Sequence, residues 1–262
     1  MGSVRVLGVR VDVIDKETLH QEISRRVRAG HKEWLANVNI QAVNLAYRDP
    51  NFRDILNRAP IVYCDGAGVR LGARLLGVRL PERIVLTRWV WELAALCADK
   101  DFSIFLLGGA SDVVERAAVN LRRRVPRLRI AGCHHGYFEK TGPESDRVVE
   151  LINSVAPNLL IVCFGMPDQE YWACRYLERL RTNLILFGGS TIDYASGAKA
   201  MPPSWAANHG LEWLHRLAQE PVRLWRRYLL GNPLFMFRIL RQRLRDGRQT
   251  ATHDEAVSIT GR

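Results

Sequence analysis

Cysteine pairs are missing from this chain. Its five cysteines (Cys64, Cys97, Cys133, Cys163 and Cys174) are scattered, with no C-x-x-C spacing. Neither a disulfide framework nor a zinc site is expected, and the usage fits a reducing compartment. Long hydrophobic runs are missing too, since no uninterrupted apolar stretch reaches the roughly 18–20 residues that cross a bilayer. At the N-terminus Arg5 and Arg10 interrupt every candidate signal core, and position 6 is Val where a myristoylation motif wants Ser or Thr. No G-x-x-x-x-G-K-[ST] occurs, which excludes a P-loop enzyme. Repeats of solenoid period and low-complexity linkers are also absent. These absences leave a folded chain expected in the cytosol, with attachment to a membrane surface still open.

What the chain has in excess is positive charge. Its 262 residues carry 38 Lys+Arg against 27 Asp+Glu, a net charge of +11. Hydrophobic residues at 47% and charged residues at 25% are the balance of a folded protein large enough for its own core. A charge of this size implies attraction to polyanions such as nucleic acid, anionic lipid or phosphorylated substrates. It is concentrated in residues 204–248, where nine arginines face Glu212, Glu220 and Asp246, giving +6 in 45 residues. Trp205, Trp213, Trp225, Tyr228, Phe235, Met236 and Phe237 are interleaved with them. Leu211, Leu214 and Leu217 form one helical stripe, Leu224–Leu229 a second helical pattern, and Pro233 opens a third. A solvated face, a nucleic-acid surface and an interfacial helix pair on anionic lipid all suit arginines among aromatics. Phe235, Phe237, Ile239 and Leu240 beside so many arginines favour the interfacial reading. From 249 onward the chain turns polar and reads as a disordered tail.

The body of the chain alternates strands with helices. Val4–Val13 is β-rich, Asp15 caps a helix carrying Leu19, Ile23 and Val27, and Gly30 stops it. Strands are expected at Trp34–Val38 and Ile61–Cys64, with helices around 41–47, 51–57 and 87–98. From residue 102 four βα units follow, with strands at 102–107, 128–133, 159–164 and 184–187. Nearly continuous apolar strands between helices predict a parallel sheet covered on both faces. The fold class is therefore α/β: a parallel-sheet, Rossmann-like core with an N-terminal α/β portion and a C-terminal basic amphipathic helical appendage. Open parallel sheets bind ligands beyond the carboxyl ends of their strands. Those ends carry Asn37-Val-Asn39, Asp65-Gly-Ala-Gly68, Gly108-Gly109, His134-His-Gly-Tyr137, Gly165-Met-Pro-Asp-Gln169 and Gly188-Gly-Ser-Thr. Small residues there let backbone N–H groups approach phosphate, so together they describe a nucleotide-sized crevice.

Single motifs carry less. Gly66-Ala-Gly68-Val-Arg-Leu-Gly72 approximates a dinucleotide fingerprint but has an extra residue in its second gap, and Glu82 is a poor match for the acidic partner. His134-His135 lacks a third ligand at convincing spacing, and Asp99-Lys-Asp101 reads as a solvated turn, so a metal-dependent phosphate site has no support. Asp65 follows a buried strand and precedes glycines. There a carboxylate can face the crevice with its pKa tuned as a base, although a turn-forming Asp before Gly looks the same.

Taken together the segments resemble the WecG/TagA/CpsF family of bacterial glycosyltransferases (glycosyltransferase family 26). The resemblance runs from about Val4 to Phe237 through Cys64-Asp-Gly-Ala-Gly, Pro81-Glu-Arg, Phe105-Leu-Leu-Gly-Gly, His135-Gly-Tyr-Phe and Gly165-Met-Pro-Asp-Gln-Glu-Tyr-Trp. It ends in the long block from Gly210-Leu-Glu-Trp to Leu230-Gly-Asn-Pro. It implies inverting, metal-independent, cofactor-free transfer of an N-acetylhexosamine or uronic-acid type sugar. The donor would be a UDP-sugar and the acceptor a polyprenyl-diphosphate-linked saccharide, at the inner face of the plasma membrane. It implies Asp65 as general base, with Arg83, Asn37, Asn39 and Gln169 lining the pocket. Arg216, Arg223 and Arg226 would face the diphosphates, and Gly108, Gly109, Tyr137 and Asp193 would hold the uridine end. The division that goes with it is a core at 1–203, a membrane-docking appendage at 204–248 and a tail at 249–262. An anionic membrane surface, and a homo-oligomer when soluble, are the other partners it implies; nucleic acid is not among them. Three positions depart from the family pattern. Asn37 stands in place of Thr, Arg88 in place of an acidic residue, and Asp168 in place of a basic one. An arginine at 88 suggests a partner for an acidic sugar. A nucleic-acid-binding module and a nucleotide-dependent oxidoreductase are the alternatives from other classes, and neither accounts for the apolar content of the basic segment.

Overall fold

The computed structural model describes residues 1–203, 205–206 and 210–260, with side chains as far as Asp246. The β-rich N-terminus is a hairpin of β1 (Ser3–Val6) and β2 (Val9–Asp12). Its two-residue turn, Leu7 at φ 51° and Gly8 at φ 88°, has the left-handed backbone that matches the twist of paired strands. The Asp12 carboxylate accepts the Val62 N–H at 2.8 Å and fastens the hairpin to the main sheet. Helix α1 (Lys16–Arg28) starts where Asp15 accepts the Thr18 N–H at 2.8 Å and buries Leu19, Ile23 and Val27. It is followed by Gly30 at φ 72°.

The main sheet has six parallel strands: β3 (Glu33–Val38), β4 (Val62–Cys64), β5 (Ser103–Gly108), β6 (Arg129–His134), β7 (Leu159–Cys163) and β8 (Leu184–Phe187). Their order is β4-β3-β8-β7-β5-β6. Strands β3 and β4 are thus part of the same sheet as the four regular βα units, while β1 and β2 form a separate two-stranded sheet. Trp34 and Leu35 of β3 pair with Ile185 and Leu186 of β8, a join between residues far apart in sequence. Strand alternation divides the core between the two faces. Phe105, Leu107, Leu160 and Val162 point to one side, where α2 (Ile40–Arg48), α3 (Pro50–Arg58), α4 (Ala67–Leu75), α7 (Pro143–Val155) and α8 (Asp168–Tyr176) pack. Ile104, Leu106, Leu159 and Ile161 point to the other, against α1, α5 (Leu86–Asp99), α6 (Ser111–Arg124) and α9 (Thr191–Ala195). A sheet covered on both faces explains why its central strands β7 and β8 are apolar throughout and β5 nearly so.

The basic C-terminal region folds as α10 (Glu212–Gln219), α11 (Pro221–Trp225), a π-turn (Arg226–Leu230) and α12 (Gly231–Thr260). The first turns of α12 are core. Phe235 and Ile239 are fully buried against α4. A Cβ on Gly72 would lie 3.0 Å from Phe235 Cζ, so the absence of a side chain there lets the two helices pack closely. Two of the apolar residues expected in a headgroup layer are therefore inside the protein, because α4 supplies a glycine groove for them. Gln242 accepts the Leu7 N–H and donates to the Arg5 carbonyl, both at 2.9 Å, tying α12 to the hairpin. The backbone of α12 continues across position 249, where the disordered tail is expected. Residues 261–262 and the side chains after Asp246 lie outside the described residues. Among the described residues no helix is long and apolar enough to cross a membrane.

Candidate active site

The carboxyl ends of β3, β4, β7 and β8 open into a cavity of about 560 Å³, roofed by α10, α11 and the π-turn. Asp65 stands at its floor. The strand pairing puts Val38 beside Cys64, and the Val38 carbonyl accepts both the Asp65 and Gly66 N–H groups at 2.9 and 3.3 Å. Asn39 caps α2 by accepting the Ala42 N–H, and its amide donates to the Asp65 carboxylate at 3.2 Å. A Cβ at Gly66 would lie 2.9 Å from the Asn39 Cβ, so the glycine after Asp65 is required for the two side chains to meet. Burial pushes the Asp65 carboxyl above the ordinary range, while Asn39, Arg216 and Arg227 act in the opposite sense. A raised carboxyl pKa beside a cavity is what a general base near neutral pH needs.

Gln169 is buried and acts as a clasp. Its carbonyl accepts the Gly165 and Gly189 N–H groups, each at 3.2 Å, and so joins the turn after β7 to the turn after β8. Its amide donates to the Glu170 carboxylate at 2.8 Å. Glu170 is fully enclosed and its second oxygen has no partner among the described residues; burial pushes its pKa to about 7. Asn37 also lines the cavity, and its side-chain oxygen has no hydrogen-bond partner among the described residues. Gly109 and Asp193 line the wall, and the exposed Tyr137 stands at the rim. Gly108 does not reach the cavity. Its φ of 144° and the 2.6 Å that would separate a Cβ from the Cys163 carbonyl give it a packing role between β5 and β7.

The roof turns its charged side inward. Glu212, Arg216, Glu220, Arg223 and Arg227 all line the cavity, at spacings of four, four, three and four residues. Arg216 donates to Ser190 Oγ at 2.5 Å and to the Tyr194 hydroxyl at 3.2 Å. Lys199 bridges Asp193 and Glu220 at 3.2 Å each, and Glu220 also pairs with Arg223. Arg226, expected to face the diphosphates, is exposed and lies over the Trp225 ring outside the cavity. Its neighbour Arg227 takes the inward position, with its guanidinium desolvated and no carboxylate within ion-pair distance among the described residues. The sequence contained the signal: Arg227, not Arg226, lies four residues after Arg223. Arg83 and Arg88, on the opposite wall, both hold Glu212, at 2.6 and 3.1 Å. The carboxylate that meets Arg88 is thus the chain's own, and the Pro202 carbonyl accepts a second bond from the same guanidinium at 3.0 Å.

The glycines of the dinucleotide-like stretch are accounted for by packing. Gly66 sits on Asn39, Gly68 on Ile40 and Gly72 on Phe235. The His134 and His135 rings pack on each other, 4.3 Å between centroids, and His134 packs edge-on to Phe138.

Residues 4–249 match the model of a family described as "Glycosyl transferase WecG/TagA/CpsF family". Two relatives carry the name N-acetylglucosaminyldiphosphoundecaprenol N-acetyl-beta-D-mannosaminyltransferase. The one from Staphylococcus aureus (strain MW2) is 28% identical over 206 residues, 79% of this chain and 79% of its own length. The one from Bacillus subtilis (strain 168) is 27% identical over 232 residues, 88% of this chain and 85% of its own.

Proposed function

Since the chain belongs to the WecG/TagA/CpsF family of glycosyltransferases, we propose that it moves an N-acetylhexosamine-type sugar from a UDP-sugar to a polyprenyl-diphosphate-linked saccharide, with inversion and without a metal. The observation that carries this reading is Asp65: a carboxylate with a raised pKa, oriented by Asn39, in a cavity walled by guanidinium groups. Asp65 takes the proton of the acceptor hydroxyl as that oxygen bonds to the anomeric carbon of the donor. The bond from that carbon to the UDP oxygen breaks on the opposite face, so a single displacement inverts the centre. The electron pair leaves with UDP, whose growing negative charge is met by Arg216 and Arg227. Arg83, Asn37 and Gln169 line or brace the sugar pocket, and Gly109, Tyr137 and Asp193 form the end assigned to uridine. Arg88 is occupied by Glu212, which favours a neutral donor sugar over a uronic acid.

The region from 204 to 248 is read as a membrane-docking appendage at the inner face of the plasma membrane, where a polyprenyl acceptor would lie. Its support is inverted amphipathicity. With the charged stripe of α10 and α11 facing the cavity, Leu214, Val222, Trp225, Leu229 and Leu230 are left exposed. Phe237, Leu240 and Leu244 continue that exposure along α12, among arginines.

The test is UDP release from a panel of neutral and acidic UDP-sugars, with a short-chain polyprenyl-diphosphate N-acetylglucosamine acceptor in detergent and EDTA. Acceptor-dependent release with a neutral N-acetylated donor is expected. Asp65→Asn should keep donor binding and lose about 10²–10⁴-fold in rate. Turnover by that variant at the wild-type rate removes Asp65 from the role of base, and release with an acidic donor alone overturns the choice of sugar.

A further inference from the structure

Glu212 is the first residue of α10, the helix that roofs the cavity. Gly210, at φ 72°, leads into that helix close against Ala67 at the start of α4. The Glu212 carboxylate reaches across the cavity mouth and gives one oxygen to Arg83 and the other to Arg88. The Glu212 side chain is only 17% exposed, so the contact is shielded and stronger than a surface ion pair. On the other side Arg216 and Arg227 face the same space, held by hydroxyl groups and aromatic rings instead of carboxylates. Among the described residues the cavity therefore has two guanidiniums, Arg216 and Arg227, ready for an anion, two that share Glu212, and Arg223 paired with Glu220.

We propose that Glu212 is a built-in competitor for the anionic part of the substrate: it occupies Arg83 and Arg88 in the empty site, holds α10 closed over it, and is displaced from Arg83 when a diphosphate enters. The inference rests on the transferase reading for the identity of that anion. Arg88 is the second anchor of the device. An acidic side chain there would repel Glu212, whereas arginine gives the roof a second attachment.

The probe is inorganic pyrophosphate, measured by calorimetry on the full chain, with amide hydrogen exchange followed over 212–219. Removing the competing charge in Glu212→Gln should tighten pyrophosphate binding about tenfold, while a carboxylate that merely orients Arg83 would on removal weaken it. In the wild type pyrophosphate should speed exchange in α10; in Glu212→Gln exchange should be fast from the start and indifferent to the ligand. Arg88→Met, which leaves the carboxylate in place, should also speed exchange in α10. Unchanged or weaker pyrophosphate binding by Glu212→Gln overturns the proposal, as does α10 protection that neither variant alters. Neither readout needs turnover, so UDP release can succeed while this proposal fails.

Discussion

Two adjacent arginines separate what a residue's type promises from what its position permits. Arg226 and Arg227 are chemically identical, yet one is exposed on the Trp225 ring and the other is desolvated at the roof of the cavity. Arg227 is half-buried with no carboxylate in ion-pair contact among the described residues, and partly desolvating a guanidinium in this way is costly unless an anion arrives to share the site. Arg227→Ala is therefore expected to lower kcat/KM for UDP-sugar by about 10²-fold or more, the scale for losing a charge-stabilising donor. Arg226→Ala should stay within about twofold, as is usual for rim cations. Equal losses in the two variants, read by UDP release, would mean that the charged stripe 212–216–220–223–227 does not define the substrate side. The same logic separates the glycines: Gly66 serves the site by letting Asn39 reach Asp65, whereas Gly108 serves packing.

At the scale of the element, most of the architecture was legible because each strand and helix announces itself locally. Most strands of the sheet are short, largely apolar runs, α1 carries Leu19, Ile23 and Val27 at helical spacing up to the stop at Gly30, and α5 carries Trp89 and Leu93 in the same way. Asp65 and Asn39 could be placed near one another because each directly follows a strand, whereas Arg83, in the loop between α4 and α5, was assigned to the pocket only through the family resemblance. What could not be read is any feature set by partners distant in sequence. The pairing of β3 with β8 is one such feature, and the burial of Phe235 and Ile239 under Gly72 is another. The orientation of α10 is a third. Its stripe of Leu211, Leu214 and Leu217 suits packing on the body and a headgroup layer equally, and the fold turns the polar stripe to the cavity and leaves Leu214 outside. Exposure of Phe237 at 64% and Leu244 at 68%, seven residues apart on α12, leads to a prediction at this scale. Phe237→Glu with Leu244→Glu should leave the fold intact, since neither side chain is in the core. Each buried apolar group is worth about 1.5–3 kcal/mol, so co-sedimentation with anionic vesicles should fall by about 10²-fold or more. Undiminished sedimentation would show that the arginines alone, or another surface, hold the lipid.

For the molecule as a whole, the site is built at the expense of stability at neutral pH. Two carboxyls at the carboxyl ends of the strands, Asp65 and Glu170, have their pKa raised, principally by burial. A carboxyl whose folded pKa exceeds its unfolded value binds a proton more tightly when folded. Its contribution to stability is complete below the unfolded value and is lost as pH rises through the folded one. For Glu170 those limits are 4.5 and about 7, so ionising it in place costs the fold about 3 kcal/mol across that window. Glu170→Gln keeps an oxygen to accept from Gln169 and removes the ionisation. Urea unfolding at pH 5 and pH 8 should show the wild type losing about 3 kcal/mol more than the variant between the two conditions. Parallel losses would mean that water or a rearranged partner solvates the second Glu170 oxygen and that the enclosure is incomplete. The physical reason to retain such a group is its neighbour. Glu170 holds the amide of Gln169, and the Gln169 carbonyl fixes the turns after β7 and β8 on which the cavity wall depends. A variant with a flatter stability profile but looser glycine turns would then have gained folding free energy at the cost of the preorganised wall that the transfer reaction uses.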